Sequence, residues 1–258
     1  QKKKGAQKEK VFPADPLPFN LLKSVDAEFE VIAERLVAPQ LEMKDFSAKI
    51  ELDKGLLRLA PVKAGIGKGS LNGALTLDAT ESPSRLDIDL RIRDASLRNL
   101  SGNINFLADL AGSGDSVAAI MAGLNGLVEL DIKNLTLTNS LMTDFGAGFF
   151  NFLNPLKKEQ ETTQLICAVV LFKIEDGIAD ARRKIVAQME DVTWIGGGEI
   201  NLKTEEISLG ISPRSRKLLD IDMGELATLG YLGGTLAQPK VEIDPKDIAI
   251  KYGKYTAA

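Results

Sequence analysis

The 258-residue sequence contains no histidine. Imidazole is the usual base at neutral pH and the commonest metal ligand, so mechanisms resting on either are excluded. Cysteine occurs once, as Cys167, which rules out an intramolecular disulfide and any zinc site built from several thiolates. Its apolar neighbourhood, Ile166 to Phe172, predicts a buried, unreactive thiol rather than a nucleophile. That same run falls far short of the ~20 apolar residues that a membrane-spanning helix needs. Aromatic residues make up only 5% of the chain, so any face hidden from water is built mainly from Leu, Ile, Val and Ala. Acids and bases nearly balance at a net charge of −4 and are interspersed, which gives no basic stripe for nucleic acid. Gln1 follows no initiator methionine or leader-like segment, and the expectation is a portion of a longer protein.

What the chain does have is alternation. Arg85 to Arg93 reads R-L-D-I-D-L-R-I-R, with Leu86, Ile88, Leu90 and Ile92 at every second position. Successive strand side chains point to opposite faces, so this stretch has one aliphatic and one charged side. The same period recurs in Ala27–Ala33, in Ile50 and Leu52, and after the Asp53-Lys54-Gly55 turn in Leu57 and Leu59. Leu75 and Leu77 follow a glycine cluster at Gly65, Gly67 and Gly69. That cluster opens no helix, so it predicts a bend or close backbone approach and not a phosphate loop. Val128, Leu130 and Ile132 alternate up to a phase slip at Lys133-Asn134, which predicts a bulge or a break. Val170, Phe172 and Ile174 lead into the Glu175-Asp176-Gly177 turn, and Ile200 with Leu202 faces Ile207, Leu209 and Ile211 across another.

Helical spacing is rare. Asn20 can cap one turn through Lys23, and Val117, Ile120, Met121 and Leu124 predict a helix over 116–124 capped by Asp115. Leu141, Phe145, Phe149 and Phe152 predict a third, unusually apolar helix, readable as core or as a movable cap. Lys157 to Thr163 reads as a loop. A strand–turn–strand–glycine–strand unit occurs in Ala48–Leu77 and again, with a longer middle, in Ala168–Leu202. The fold class expected is mainly β: an elongated, twisted, mostly antiparallel sheet with two or three short amphipathic helices. Residues 1–10, with five lysines, read as a basic linker or tail. A single β-rich domain is expected over 11–251, and 252–258 as a second tail.

Asp87 and Asp89 share a strand face, as paired carboxylates for acid–base work would, but Arg91 and Arg93 lie on it too. A solvated, ion-paired surface is the expectation there, and no enzyme, cofactor or metal site is expected. Two uses of the aliphatic face stay open on pattern alone. It is either the core of a structural or adaptor protein, or an unclosed groove for acyl chains.

Several segments resemble the C-terminal region of the AsmA family of bacterial envelope proteins. They are Val11 to Phe19, Asp109 to Ser116, Leu124 to Val128, Phe172 to Gly177 and Gly234 to Val241. The resemblance implies a periplasmic, β-rich body curled into a U-shaped apolar groove. It also implies anchoring in the inner membrane of a Gram-negative bacterium by a segment absent here, and a part in moving phospholipid towards the outer membrane. Phospholipid or another acyl-chain ligand is then the expected partner, in a role of lipid transport or outer-membrane assembly. The candidate lining is Ile50 and Leu52; Leu75 and Leu77; Leu86, Ile88, Leu90 and Ile92; Val128, Leu130 and Ile132; Val170, Phe172 and Ile174; and Ile200 and Leu202. The resemblance carries no catalytic residues.

Overall fold

The computed structural model describes residues 10–37, 41–96, 101–138, 162–190, 192–215 and 230–242. They form one antiparallel sheet of 14 strands with two short helices. A helical turn, α1 (Phe19–Leu22), precedes β1 (Ala27–Val37), β2 (Glu42–Asp53), β3 (Leu56–Ile66), β4 (Gly69–Asp78), β5 (Arg85–Ala95) and β6 (Asn103–Ser113). Helix α2 (Val117–Ala122) leads into β7 (Asn125–Thr138) and β8 (Thr162–Glu175). Then come β9 (Ile178–Asp180), β10 (Ile185–Met189), β11 (Val192–Asn201), β12 (Glu206–Ser215), β13 (Gly230–Gly234) and β14 (Pro239–Glu242).

Neighbours in sequence are neighbours in the sheet, apart from one detail. The strand between β8 and β11 is split, so that β9 and β10 each pair with both of them. This split is the longer middle of the second strand–turn–strand unit. Among the described residues β1 and β14 pair with no second neighbour, so the sheet has two edges and does not close into a barrel.

The irregularity expected at Lys133-Asn134 is a break in the ladder and not a bulge: Lys133↔Cys167 and Leu135↔Leu165 keep one register, Asn134 between them has no partner in the ladder, and it takes a positive φ of 53°. Three other expectations need correction. Helix α2 is capped by Ser116, whose hydroxyl accepts the Ala119 N–H at 3.1 Å, not by Asp115. Asp115 is drawn aside to accept from Ser84 N–H at 3.4 Å. Helix α1 starts at Phe19 behind Pro18 and takes Asn20 inside it, with no side-chain cap. The loop expected as far as Thr163 yields to β8 at Thr162. Leu141, Phe145, Phe149 and Phe152 lie outside the described residues, as do both tails apart from Lys10.

Glycine is required at two strand positions where the backbone takes a φ reserved for it. Gly126 (φ 136°) and Gly198 (φ 142°) lie so close to the next strand that a Cβ would strike the carbonyl oxygens of Asp109 and Ser208. Gly198→Ala is therefore expected to lower stability by about 1–3 kcal/mol. Urea unfolding checks this, and an unchanged midpoint would show the strand pair to be looser than the geometry requires.

Candidate functional site

Residues directly opposite in an antiparallel ladder project to the same side of the sheet, so the pairing registers decide which side chains share a face. Starting from Ile88, the ladder runs to Leu75 on β4 and Leu59 on β3, and from there to Ile50 on β2 and Phe29 on β1. In the other direction Leu90 faces Ala108 on β6, then Val128 on β7 and Phe172 on β8. Ile174 faces Ala179 on β9, which faces Ile200 on β11. All the candidate lining residues within strands thus lie on one continuous aliphatic face. Leu202 is the exception in position: it sits in the turn beyond β11, yet its side chain is buried against the same face.

Sequence reasoning missed part of this face. Strand β6 supplies Ile104, Phe106, Ala108 and Leu110, flanked by strands on both sides. Its alternation is blurred because Ala108 and Gly112 occupy inward positions while Leu107 points outward opposite Arg91 and Glu129.

Burial along the face is uneven. Around Trp194, only 2% exposed, a cluster joins Leu135, Leu165, Ala168, Met189 and Val192. At the opposite end of the strands Ile120 and Leu124 of the α2 region join Ile174, Ala179 and Leu202. Leu86, Val128, Phe172 and Ile200 pack against that second cluster. Between the clusters, and across β2 to β5, the face is only half-covered. Ile50, Leu52, Leu75, Leu77, Ile88, Leu90, Ile92, Leu130, Ile132 and Val170 are all part-exposed. Phe29 and Val31 on the edge strand are 50% and 39% exposed. Strands contact chiefly their ladder partners, and α2 rests on β6.

The sheet is curled. In a flat sheet β5 and β11 would stand roughly 24 Å apart, at ~4.8 Å per strand spacing. Leu86 and Ile200 nevertheless pack on one cluster. The result is an aliphatic trough with one end filled by α2.

The opposite face is ionic. Arg85 pairs with Asp87 at 2.9 Å, Arg91 with Asp89 at 3.0 Å, Lys133 with Asp131 at 3.1 Å and Lys173 with Glu175 at 2.6 Å. Each pair joins residues two apart on one strand, the spacing that puts both on the same side. Lys49 bridges Glu51 and Glu28; hydrogen bonds to these two carboxylates raise its pKa, and the bond from Lys49 lowers that of Glu51. Asp87 and Asp89 are each engaged by an arginine on this exposed surface. Exposed pairs contribute little, so Asp87→Asn with Asp89→Asn is expected to move stability by less than about 1 kcal/mol. Urea unfolding of the double variant measures it, and a larger loss would mean this surface is covered.

Among the described residues no helix is long and apolar enough to cross a membrane. The family model for the AsmA family matches residues 1–183. The chain is 26% identical over 246 residues to the AsmA family protein YhjG of Escherichia coli (strain K12). That alignment covers 91% of this chain and 35% of the relative, so the chain spans about a third of that protein's length. No solved structure matches. With a family match over most of its length and the sheet described above, this chain belongs to the AsmA family of bacterial envelope proteins.

Proposed function

We propose that the trough holds the acyl chains of phospholipid, and that the protein guides lipid along it between inner and outer membranes without catalysing a reaction. The observation that carries this reading is the half-exposed middle of the aliphatic face. Leu75, Ile88, Leu90 and Leu130 have strand neighbours on both sides, yet none is buried. Over β4 to β8 the paired positions on this face are occupied by Leu, Ile, Val, Phe, Ala and Gly. A contiguous apolar surface of this extent is an interaction site, not ordinary exterior.

Acyl chains suit it physically. Each methylene taken from water is worth about 0.8 kcal/mol, so one long chain could gain on the order of 10 kcal/mol before the entropy of ordering is subtracted. Because the wall lacks converging polar groups, the energy comes from the tail, and selection between head groups is expected to be weak. Anchoring in the inner membrane through a segment outside this chain belongs to the same reading. An adaptor with an ordinary closed core is favoured only locally, by the sealed cluster around Trp194.

The test is lipid retention in the purified chain, by organic extraction and mass spectrometry, with and without Ile88→Asp. Ile88 is part-exposed, so an aspartate there can keep some hydration, and a loss below about 2 kcal/mol is expected. Retained phospholipid should fall at least about fivefold, since a bound tail would have to cover the new charge. Unchanged lipid content would overturn the reading. A loss above about 4 kcal/mol would identify the face as sealed core.

A further inference from the structure

We infer that the segment Val11–Leu17 is a removable stopper on the trough, latched by Glu205. The inference rests on reading the trough as an acyl-chain site. It adds that this chain carries its own competitor for that site.

The segment crosses one whole end of the trough. At its start the N–H groups of Val11 and Phe12 donate to Glu205 Oε2 at 2.7 Å and Oε1 at 3.1 Å, in the turn between β11 and β12. In the middle Pro13 C=O accepts from Ala118 N–H of α2 at 3.0 Å, and Leu17 N–H donates to Asp115 C=O at 2.8 Å. After α1 the chain reaches the β2–β3 turn, where Asp26 Oδ1 accepts from Lys54 N–H at 2.9 Å. One short stretch therefore ties the far wall of the sheet to the near one.

Only two of its side chains face inward. Phe12 and Leu17 pack against the buried cluster of Ile120, Leu124, Ile174, Ala179 and Leu202, while Pro13 to Pro16 between them are exposed. That cluster includes Ile174 and Leu202 of the trough wall, so the stopper sits where the wall meets α2 and a lipid tail would otherwise reach. Its prolines restrict the free chain as well as the docked one, so docking and release cost little backbone entropy. A segment that was purely core would bury more than two of its residues.

Glu205 is built as a latch. It is 2% exposed, takes a positive φ of 65°, and its own C=O accepts the Leu236 N–H at 2.9 Å. A non-glycine residue held in that conformation is fixed by its surroundings. The carboxylate directs both oxygens at the segment's backbone and so recognises the chain path instead of a side chain. Two N–H donors on one buried carboxylate are charge-assisted bonds. They favour the docked state, and a site open only part of the time shows an apparent affinity reduced by the fraction open.

The experiment compares the full chain with Glu205→Gln and, separately, Phe12→Ala. A glutamine keeps one acceptor and turns an N–H₂ towards a backbone donor, so the latch fails on one side. Phe12→Ala leaves the latch whole and removes half of the plug. Two readouts are taken. The first is backbone amide exchange at Val11, Phe12 and Leu17, with Gly177 and Leu202 as internal references. The second is uptake of a pyrene-labelled phosphatidylglycerol from phosphatidylethanolamine–phosphatidylglycerol vesicles. In Glu205→Gln the three segment amides should exchange about tenfold faster while the references hold, and uptake should rise by a similar factor. Phe12→Ala should raise uptake without that change in exchange.

Faster exchange with unchanged uptake overturns the stopper and leaves the trough reading standing. Failure of every protein, the unsubstituted chain included, to take up the probe overturns both. Should Glu205→Gln fail to fold, Phe12→Ala decides alone, and uptake no higher than that of the unsubstituted chain rejects the inference.

Discussion

A one-layer sheet has to hide an aliphatic face with no second sheet to hide it against. Every larger feature of this molecule follows from that constraint. Curling brings strands as distant as β5 and β11 onto a common cluster, which shortens the exposed width without closing the sheet. Helix α2 and the Val11–Leu17 segment fill one end, and the larger residues around Trp194 fill the curl at the other. Between them the aliphatic surface exceeds the cover that the described residues supply. Among those residues each strand turns back beside the last, which widens the sheet and adds no second layer of strands.

The two faces are stabilised by different physics. On the ionic face, pairs such as Arg85–Asp87 and Arg91–Asp89 are formed within single strands, so they neither set register nor add much stability. Their role is to keep that side wet. Register is set from the aliphatic side, because slipping one strand by a residue would turn its leucines out and its carboxylates in. The strict alternation of β5 makes it the strand least free to slip. Its neighbour β6, with alanine and glycine inside and Leu107 outside, takes its register from the strands that flank it.

That difference explains what could be read from the residues alone. Strands with full alternation were legible, as was the break at Asn134, because a phase slip in an otherwise regular pattern has few other causes. The aliphatic face was legible in strands whose inward positions are large and aliphatic. Strand β6 escaped because small residues inside a curled sheet fill space without advertising a face. The split of β9 from β10 escaped too, since it depends on which partner each short piece finds. Ser116 and Asp115 are adjacent and both suit a cap; Ser116 takes that place while Asp115 accepts from Ser84. Glu205 had no signal at all. A glutamate after Thr204 in an acidic turn reads as solvent-facing, and its burial depends on a segment more than 190 residues away in sequence.

At the α2 end of the strands the connections are tight: Lys54-Gly55, Asp176-Gly177, and Leu202 to Glu205. Backbone bonds lace these turns together, with Gly177 N–H donating to Leu124 C=O at 2.9 Å and Leu202 N–H to Gly177 C=O at 2.8 Å. At the opposite end Gly67-Lys68 joins β3 to β4 as tightly, and β7 ends there at Thr138 and β12 at Ser215. The bonds to Glu205, itself 2% exposed, belong to the laced α2 end. The two edges differ: β14 is short and begins with Pro239, whereas β1 is long and leaves Phe29 half in water. Proline and shortness are the usual protections of a free edge, and β1 has neither. Among the described residues the aliphatic surface therefore runs uninterrupted to the β1 side of the sheet, while α2 and the Val11–Leu17 segment cover it at one end of the strands.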